Sequence, residues 1–211
     1  MYLSRVQLDP GMRATMRALQ APQMLHGAVE RCFAGERRRR LWRIDWLADA
    51  CFLLVLSEEV PDFTGLIDQF SSAALAGRGE SKDYEPFLSR LRAGQAWRFR
   101  LKANPVIASR TGLEGTRLRG RIHAHVTPEQ QKQWLMNRAA QHGFILDQQA
   151  FDVIHSQWQR FTKSDGALVS LRSVTLEGSL QVADADLLRK ALTEGLGRGK
   201  AYGLGLLTLA R

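Results

Sequence analysis

The stretch Ala96–Ala103, AWRFRLKA, alternates strictly between apolar residues and cations. Successive side chains of a strand point to opposite faces, so this pattern predicts a strand that buries one face and exposes the other. The two faces would consist of Trp97, Phe99 and Leu101, and of Arg98, Arg100 and Lys102. Because strands and helices are already predicted before it, the stretch indicates the start of a second structural cycle.

The first cycle occupies the residues before this strand. Its predicted elements are a strand at Tyr2–Leu8, a helix at Pro22–Phe33, a hairpin over 37–57, a short helix at Thr64–Phe70, a loop at Gly77–Asp83 and a strand or bridge at Tyr84–Leu91. The first helix has proline in its first turn and an apolar stripe along one side. The hairpin joins an alternating strand to a fully apolar one.

The second cycle repeats this order. After AWRFRLKA we predict a strand at Arg117–His125, a helix at Pro128–His142, two strands around a turn at Ser164–Gly166 of which the second ends at Val182, a helix at Asp184–Glu194 and a last strand at Leu204–Ala210. Both halves therefore approximate β-α-β-β-α-β. This order predicts an α+β protein of two tandem ferredoxin-like (RRM-like) domains, residues 1–93 and 94–211, a fold whose open sheet face often binds RNA.

The charge of the chain favours a polyanionic partner. Among 211 residues there are 30 cations and 21 anions, which gives a net charge of +9 and a pI near 10.2. Only six of the cations are lysines, and arginine can grip two phosphate oxygens and stack on bases. The alternative is a protein that is merely basic.

Other compositional signals are weak. The apolar run Cys51–Leu56 is too short to cross a membrane, and the first residues lack the pattern of a signal peptide. Two cysteines are too few for a disulfide framework or a zinc site. We therefore expect a cytoplasmic protein without a membrane partner.

Cations cluster at several places along the chain. The clusters are Arg37, Arg38, Arg39 and Arg40; Arg98, Arg100 and Lys102; Arg117, Arg119 and Arg121; and Arg160, Lys163 and Arg172. A single run of this kind is most often a solvated turn. Several in one small protein predict an extended groove for a nucleic-acid backbone, with an affinity that falls steeply with salt.

A glycine-rich stretch, GLGRGKAYGLG, fills Gly195–Gly205. It lacks the spacing of a Walker A loop, and no helix follows it as a dinucleotide fingerprint requires. It is typical of a turn that brings backbone N–H groups beside the phosphates of a polymer, although glycines needed for packing would give the same pattern. The contact residues would be Gly197, Arg198, Gly199, Lys200 and Gly203.

Histidines supply the candidate chemistry. His26 lies in the first predicted helix, where beside a phosphate-binding surface it could donate a proton to a leaving oxygen or accept one from an attacking hydroxyl. An ordinary helix histidine is the alternative. His123 and His125 share a strand face and could form a metal pair, but no carboxylate adjoins them, which favours a structural or RNA-contacting role.

These features together resemble the CasE family, the CRISPR-RNA processing endoribonucleases of type I-E CRISPR–Cas systems. The similar segments are MYLSRVQL at the start, the helix with His26, FRLKANPV from Phe99 to Val106, and GLGRGKAYGLGLL from Gly195 to Leu207. They are collinear from residue 1 to residue 209, so the resemblance spans the chain. The last two segments, FRLKANPV and the glycine stretch, are together the most specific.

The resemblance implies fold, activity and partners. It implies tandem ferredoxin-like domains that bind the stem-loop of a CRISPR repeat and cut at the 3′ base of the stem, with neither metal nor cofactor. The nucleophile would be the adjacent 2′-hydroxyl, leaving a 5′-hydroxyl and a 2′,3′-cyclic phosphate. A monomer when free, the protein would stay on its product and join the other Cascade subunits. A basic hairpin, here Arg160–Arg172 with its tip at Asp165–Gly166, would enter the RNA major groove.

The same resemblance makes His26 the catalytic histidine. Members of the family often carry a tyrosine three residues earlier, where this chain has Gln23. Glutamine can hydrogen-bond a phosphate but is not an acid. Three hypotheses follow: a metal-independent endoribonuclease, a stem-loop-binding Cascade subunit with weak or no activity, and a metal-dependent nuclease that uses His123 and His125.

Overall fold

The computed structural model describes residues 1–36, 38–75, 79–109, 121–163 and 165–211. The first half contains β1 (Tyr2–Leu8), α1 (Arg13–Gln20), α2 (Pro22–Arg31), β2 (Leu41–Leu47), β3 (Ala50–Ser57), α3 (Thr64–Phe70), β4 (Glu80–Asp83) and α4 (Glu85–Leu88). The second half contains β5 (Ala96–Ala103), β6 (Val106–Ser109), β7 (Arg121–Ala124), α5 (Pro128–Ala139), β8 (Phe144–Ile145), β9 (Phe151–Thr162), β10 (Leu168–Val182), α6 (Ala185–Glu194) and β11 (Leu207–Ala210). Short 3₁₀ turns occur at Ala73–Leu75, Ala140–His142 and Lys200–Tyr202.

The first sheet is antiparallel with the strand order β2-β3-β1-β4. Alternate residues of its strands, such as Val6 and Leu8 of β1 and Leu53 and Val55 of β3, are buried under α1, α2 and α3. The strand that follows the first helices is at one edge, and the last strand is at the other. This is the ferredoxin-like order.

The second sheet has the corresponding order β11-β5-β10-β8, and β9 pairs with β10 in a long hairpin. Phe99 and Leu101 of β5 are buried under α5 and α6, as the alternation of AWRFRLKA predicts. Helix α5 begins with a capping box between Thr127 and Gln130. The predicted α+β fold of tandem ferredoxin-like domains is confirmed.

Three local predictions differ from the structure. Residues 13–20 form α1, which buries only the small residues Thr15 and Ala18 and therefore has a weak apolar signal. Strand β4 occupies part of the predicted loop at 77–83. In place of the predicted strand or bridge at 84–91 the structure has the short helix α4, Glu85–Leu88. All four residues of β4 are exposed, so backbone pairing to β1 holds the strand without any alternation of burial.

The faces of the two sheets that carry no helix turn toward each other. Arg43 of β2, only 1% exposed, joins them. Its guanidinium donates to both carboxylate oxygens of Asp45, each at 2.7 Å, and across the junction to the carbonyl oxygens of Arg100 and Leu206, each at 2.9 Å. It also donates to Thr208 Oγ1 at 2.8 Å. The open face of the second sheet is therefore bridged to the first sheet by Arg43 at this junction.

A single hydrophobic cluster also crosses the junction. Leu41 and Leu56 of the first sheet pack in the same buried cluster as Phe99 and Leu101 of the second. Because apolar contacts and the Arg43 network are continuous, the two halves pack as one unit. In the described ranges, no helix has both the length and the apolar character needed to span a bilayer.

The two cysteines are expected to resist thiol reagents in the native protein. Cys32 and Cys51 are unpaired and buried, and burial raises the pKa of both thiols to about 11. A raised pKa keeps the thiol protonated at pH 8, and the thiolate is the nucleophile. Titration with DTNB at pH 8 should give no fast reaction in buffer and full reaction of both thiols in urea. Rapid modification of the native protein would contradict this burial.

Candidate active site and nucleic-acid interface

His26 lies in the middle of α2. Leu25, Ala28 and Val29 of this helix pack into the core of the first half, which leaves the imidazole at the margin, 25% exposed. Its Nδ1 is 4.0 Å from Oε1 of Glu30, one helical turn later. The other oxygen of Glu30 accepts a hydrogen bond of 3.0 Å from Arg40. Glu30 therefore connects the histidine to a fixed cation.

Gln23 connects the same helix to the hairpin of the second half. Its amide Nε2 donates to the carbonyl oxygen of Thr162, at the end of β9, at 2.7 Å. Gln23 lies three residues before His26 on α2, so this hydrogen bond joins the helix that carries His26 to the β9–β10 hairpin. A movement of the hairpin would alter the surroundings of Gln23.

The glycine-rich stretch, hereafter the glycine loop (residues 195–205), also contacts α2. Its 3₁₀ turn Lys200–Tyr202 packs against this helix. Lys200 Nζ donates to the carbonyl oxygen of Glu194 at 2.6 Å. Burial, with the nearby charge of Arg39, lowers the pKa of Lys200. Cations from residues 38–40 and from the glycine loop are thus brought together beside α2.

Glycines of this loop serve two purposes. Gly203 has a φ of +75° and lies so close to Trp42 that a Cβ there would come within 2.6 Å of the ring. That position is required for packing. Gly197 and Arg198 are exposed, and a Cβ at Gly197 would come within 3.0 Å of the Trp134 ring. The base of the loop is therefore fixed in the core, and its tip presents backbone and a cation to solvent.

A concave surface of about 360 Å³ lies between the glycine loop, the β9–β10 hairpin and the ribbon formed by β6 and β7. Arg172 and Arg198 line it together with the aromatic rings of Trp158 and Tyr202. The guanidinium of Arg172 lies 5.6 Å from the Trp158 ring centroid and donates to Ser156 Oγ at 3.0 Å. Arginine beside aromatic rings is a typical setting for phosphate and base contacts.

The remaining predicted RNA contacts near α2 and the hairpin fall in different environments. Arg160 is exposed on β9, and Lys163 is half-buried in the hairpin turn. Arg38 and Arg39 are exposed, and Arg38 pairs with Glu58. Arg40, in contrast, is nearly buried between Glu30 and the ring of Phe33. Contacts of these cations with RNA stay predictions.

The cations of β5 lie at the junction of the two sheets. Arg98 is exposed, Arg100 pairs with Glu177 and lies 3.5 Å from Asp45, and Lys102 is half-buried. Burial lowers the pKa of Lys102. Arg37, Arg117 and Arg119 lie outside the described residues, and for Arg121 only the backbone, in β7, is described.

The second histidine pair lacks a ligand set in the described part of the chain. His123 is exposed on β7, and burial, with Arg138, lowers the pKa of His125. Among the described residues, no group of three or more histidine, cysteine, aspartate or glutamate side chains is arranged to hold a metal ion. This arrangement does not favour the metal-dependent hypothesis.

Sequence reasoning missed three features of the site. The His26–Glu30 pair could have been found from its i, i+4 spacing within one predicted helix. The contact of Trp42 with Gly203 and the cavity formed by Trp158 and Tyr202 join residues far apart in the chain, and no local pattern indicates them.

Comparisons with known proteins agree with this arrangement. The sequence profile of a family described as "CRISPR associated protein" matches residues 1–211. The chain belongs to this family. CRISPR-associated endoribonuclease Cse3 of Thermus thermophilus is 32% identical over 225 aligned positions, which cover all of both chains. The Cascade subunit CasE of Escherichia coli is 26% identical over 168 positions, 77% of this chain and 75% of the relative.

The structural comparison agrees with the family assignment. A solved structure of CRISPR endoribonuclease Cse3 bound to a 19-nucleotide RNA superposes with a TM-score of 0.82 and 28% identity, covering all of both chains. The resemblance to the CasE family is confirmed. A histidine on α2 beside the cations of residues 38–40 and of the glycine loop can bind a phosphodiester and transfer a proton to or from it.

Proposed function

We propose that the chain is a metal-independent endoribonuclease that binds the stem-loop of a CRISPR repeat and cuts precursor CRISPR RNA at the 3′ base of the stem. The observation that carries the proposal is the position of α2. This helix bears His26 and contacts both the glycine loop, through Lys200–Tyr202, and the hairpin, through the Gln23–Thr162 hydrogen bond. Relatives with this fold include an endoribonuclease and a Cascade subunit.

The reaction needs no group beyond the protein and the RNA. The 2′-oxygen before the cut attacks the phosphorus, the bond from phosphorus to the 5′-oxygen breaks, and a 2′,3′-cyclic phosphate and a 5′-hydroxyl result. The 2′-hydroxyl loses one proton and the leaving oxygen gains one. His26 performs one of these transfers, with the Glu30 carboxylate 4.0 Å from its Nδ1. Arg198 and Lys200 neutralise the phosphate while the fold holds the nucleophile in line.

Residue contacts, partners and location follow from the same proposal. RNA backbone contacts are assigned to the exposed tip of the glycine loop and to the hairpin cations Arg160, Lys163 and Arg172. After the cut the protein stays on its product as a Cascade subunit, and before it binds RNA it is a monomer. The cytoplasm, where precursor RNA is made, is its proposed location. We also propose that the domains divide at residues 93 and 94.

Gln23 distinguishes the enzyme from a subunit that only binds. In the proposed reaction the Gln23 amide donates a hydrogen bond to the scissile phosphate, and hydrogen bonds to charged groups contribute about 1.5–3 kcal/mol. Gln23→Ala is therefore expected to slow single-turnover cleavage by about tenfold or more. Gln23→Tyr should cut at least as fast as wild type. The exposed Gln141→Ala provides a matched control without effect. Wild-type protein that binds the hairpin tightly but yields no product after long incubation would instead support the binding-only hypothesis.

Cleavage in EDTA tests the proposal directly. The substrate is a 5′-labelled hairpin RNA of the CRISPR repeat from the host genome. We expect one cut at the 3′ base of the stem, at the same rate with EDTA or magnesium. On a gel the labelled product should migrate as a cyclic phosphate until acid hydrolyses the ring. An uncut RNA, or cutting that EDTA abolishes, would contradict the proposal.

A further inference from the structure

A second cavity, of about 260 Å³, opens beside the first turn of α2. It lies where α1, α2 and β2 of the first half meet β9 and the glycine loop of the second. Pro22 and Leu25 of α2 line it, and Pro22 is one helical turn before His26. The cavity therefore adjoins the proposed site of the cut.

Three aromatic rings line this cavity beside aliphatic and polar side chains. Trp42 and Trp46 point from the same face of β2, and Tyr202 of the glycine loop faces them from the second half. Trp46 is 54% exposed, so its ring is open to contact with a ligand. Unpaired RNA bases are bound by stacking on rings of this kind.

Two buried polar atoms in the lining residues have no hydrogen-bond partner within the described part of the chain. They are the indole Nε1 of Trp42, a donor, and the amide Oε1 of Gln159, an acceptor. Buried polar groups are normally paired, so such atoms indicate a missing partner. The edge of a nucleobase carries donors and acceptors together and can satisfy both kinds.

The size of the cavity favours a single base over a whole nucleotide. Pockets for drug-sized molecules are about 300–1,000 Å³, so 260 Å³ suits one base better than a whole nucleotide. Lys102, which also lines the cavity, supplies a cation for the phosphate attached to that base. An apolar side chain of a protein would satisfy neither the unpaired polar atoms nor this charge.

A base bound outside the stack directly 3′ of the cut would assist the cleavage reaction. In-line attack requires the leaving 5′-oxygen to swing opposite the 2′-oxygen, and a continuously stacked strand opposes this rotation. Holding the next base outside the stack would fix the rotated geometry, as enzymes that act on bases do when they flip them. The nucleotide directly 3′ of the cut lies at the end of the stem, where it costs least to unstack.

We propose that this cavity, with Trp46 as its exposed wall, is the binding site for the unpaired base directly 3′ of the scissile phosphate. The inference rests on the proposed function, since it assumes that RNA is cut beside His26. It assigns Trp46 and Tyr202 a role in positioning the reactive phosphate, and it makes the base, independently of its identity, part of substrate recognition.

A cycle of protein and RNA changes tests the assignment in single-turnover cleavage. Loss of one stacked base corresponds to roughly a tenfold slower cut, so Trp46→Ala and an RNA that is abasic directly 3′ of the cut should each show that effect. Combined, they should be no slower than either alone, because both remove the same contact. Trp46→Phe should restore most of the rate. Ile145→Ala, which removes an equally exposed apolar side chain (55% against 54%) from β8, is the control without effect.

A fluorescence measurement separates the two proposals. With 2-aminopurine directly 3′ of the cut, the complex with His26→Ala should be quenched by stacking, and the complex with His26→Ala/Trp46→Ala should be brighter at saturation. Equal fluorescence, or additive effects in the cycle, would overturn the base site while cleavage by wild type leaves the proposed function intact. Wild-type protein that neither binds nor cuts the hairpin would overturn the proposed function itself.

Discussion

His26→Ala is expected to cut the repeat hairpin at least about 100-fold more slowly than wild type, because general acid–base groups contribute about 10²–10⁴-fold. Affinity for the repeat RNA should change little, since the imidazole lies at the margin of the basic surface. The cations of the glycine loop and of the β9–β10 hairpin are untouched in this variant. Single-turnover cleavage and a filter-binding titration measure the two quantities separately.

His123→Ala is the matched control for that variant. His123 is an exposed histidine on β7, in the second half of the chain, and its removal should leave the cleavage rate unchanged. The metal-dependent hypothesis predicts the reverse order of effects. Equal cleavage rates for His26→Ala and wild type would show that His26 of α2 transfers no proton in the reaction.

Arg43→Ala is expected to lower the free energy of unfolding by about 3–5 kcal/mol. Removing the guanidinium leaves Asp45, 7% exposed, without its bidentate partner and with Arg100 still 3.5 Å away. It also removes the hydrogen bonds to the carbonyl oxygens of Arg100 and Leu206. An uncompensated buried charge costs more than the pair contributes in isolation. Urea unfolding followed by tryptophan fluorescence gives the value.

Two further variants serve as controls for the stability loss expected of Arg43→Ala. Arg98→Ala removes an exposed cation from the same junction and should change stability by no more than about 0.5 kcal/mol. Arg43→Ala combined with Asp45→Ala should be less destabilised than Arg43→Ala alone, because the buried carboxylate that has lost its bidentate partner is gone. A loss below about 1 kcal/mol for Arg43→Ala would show that the Arg43 network does not hold the two sheets together.

The fold was predictable where burial alternates along the chain. Strands such as β5 bury every second residue, and α5 and α6 begin with capping residues, so their patterns are local. Strand β4 has no buried residue and α1 buries only Thr15 and Ala18, so neither produces a pattern. For such elements, pairing and packing with distant residues decide the structure.

The candidate site was predictable only in part. His26 was identified from the resemblance and Arg198 and Lys200 from their glycine-rich setting, but the sequence does not show that α2 contacts the glycine loop. It also does not show which cations are already paired: Arg40 is held by Glu30 and Arg43 by Asp45. The charge of each residue can be read from the sequence, whereas the pairing of charges depends on the tertiary structure.

The central claim is that the RNA supplies its own nucleophile beside His26. The most direct measurement uses a repeat hairpin with one 2′-deoxy substitution at the nucleotide before the cut. Wild-type protein should bind this RNA with unchanged affinity and yield no product at that position. Normal cleavage of the 2′-deoxy RNA would show that a water or another hydroxyl attacks the phosphate, which contradicts the proposed reaction.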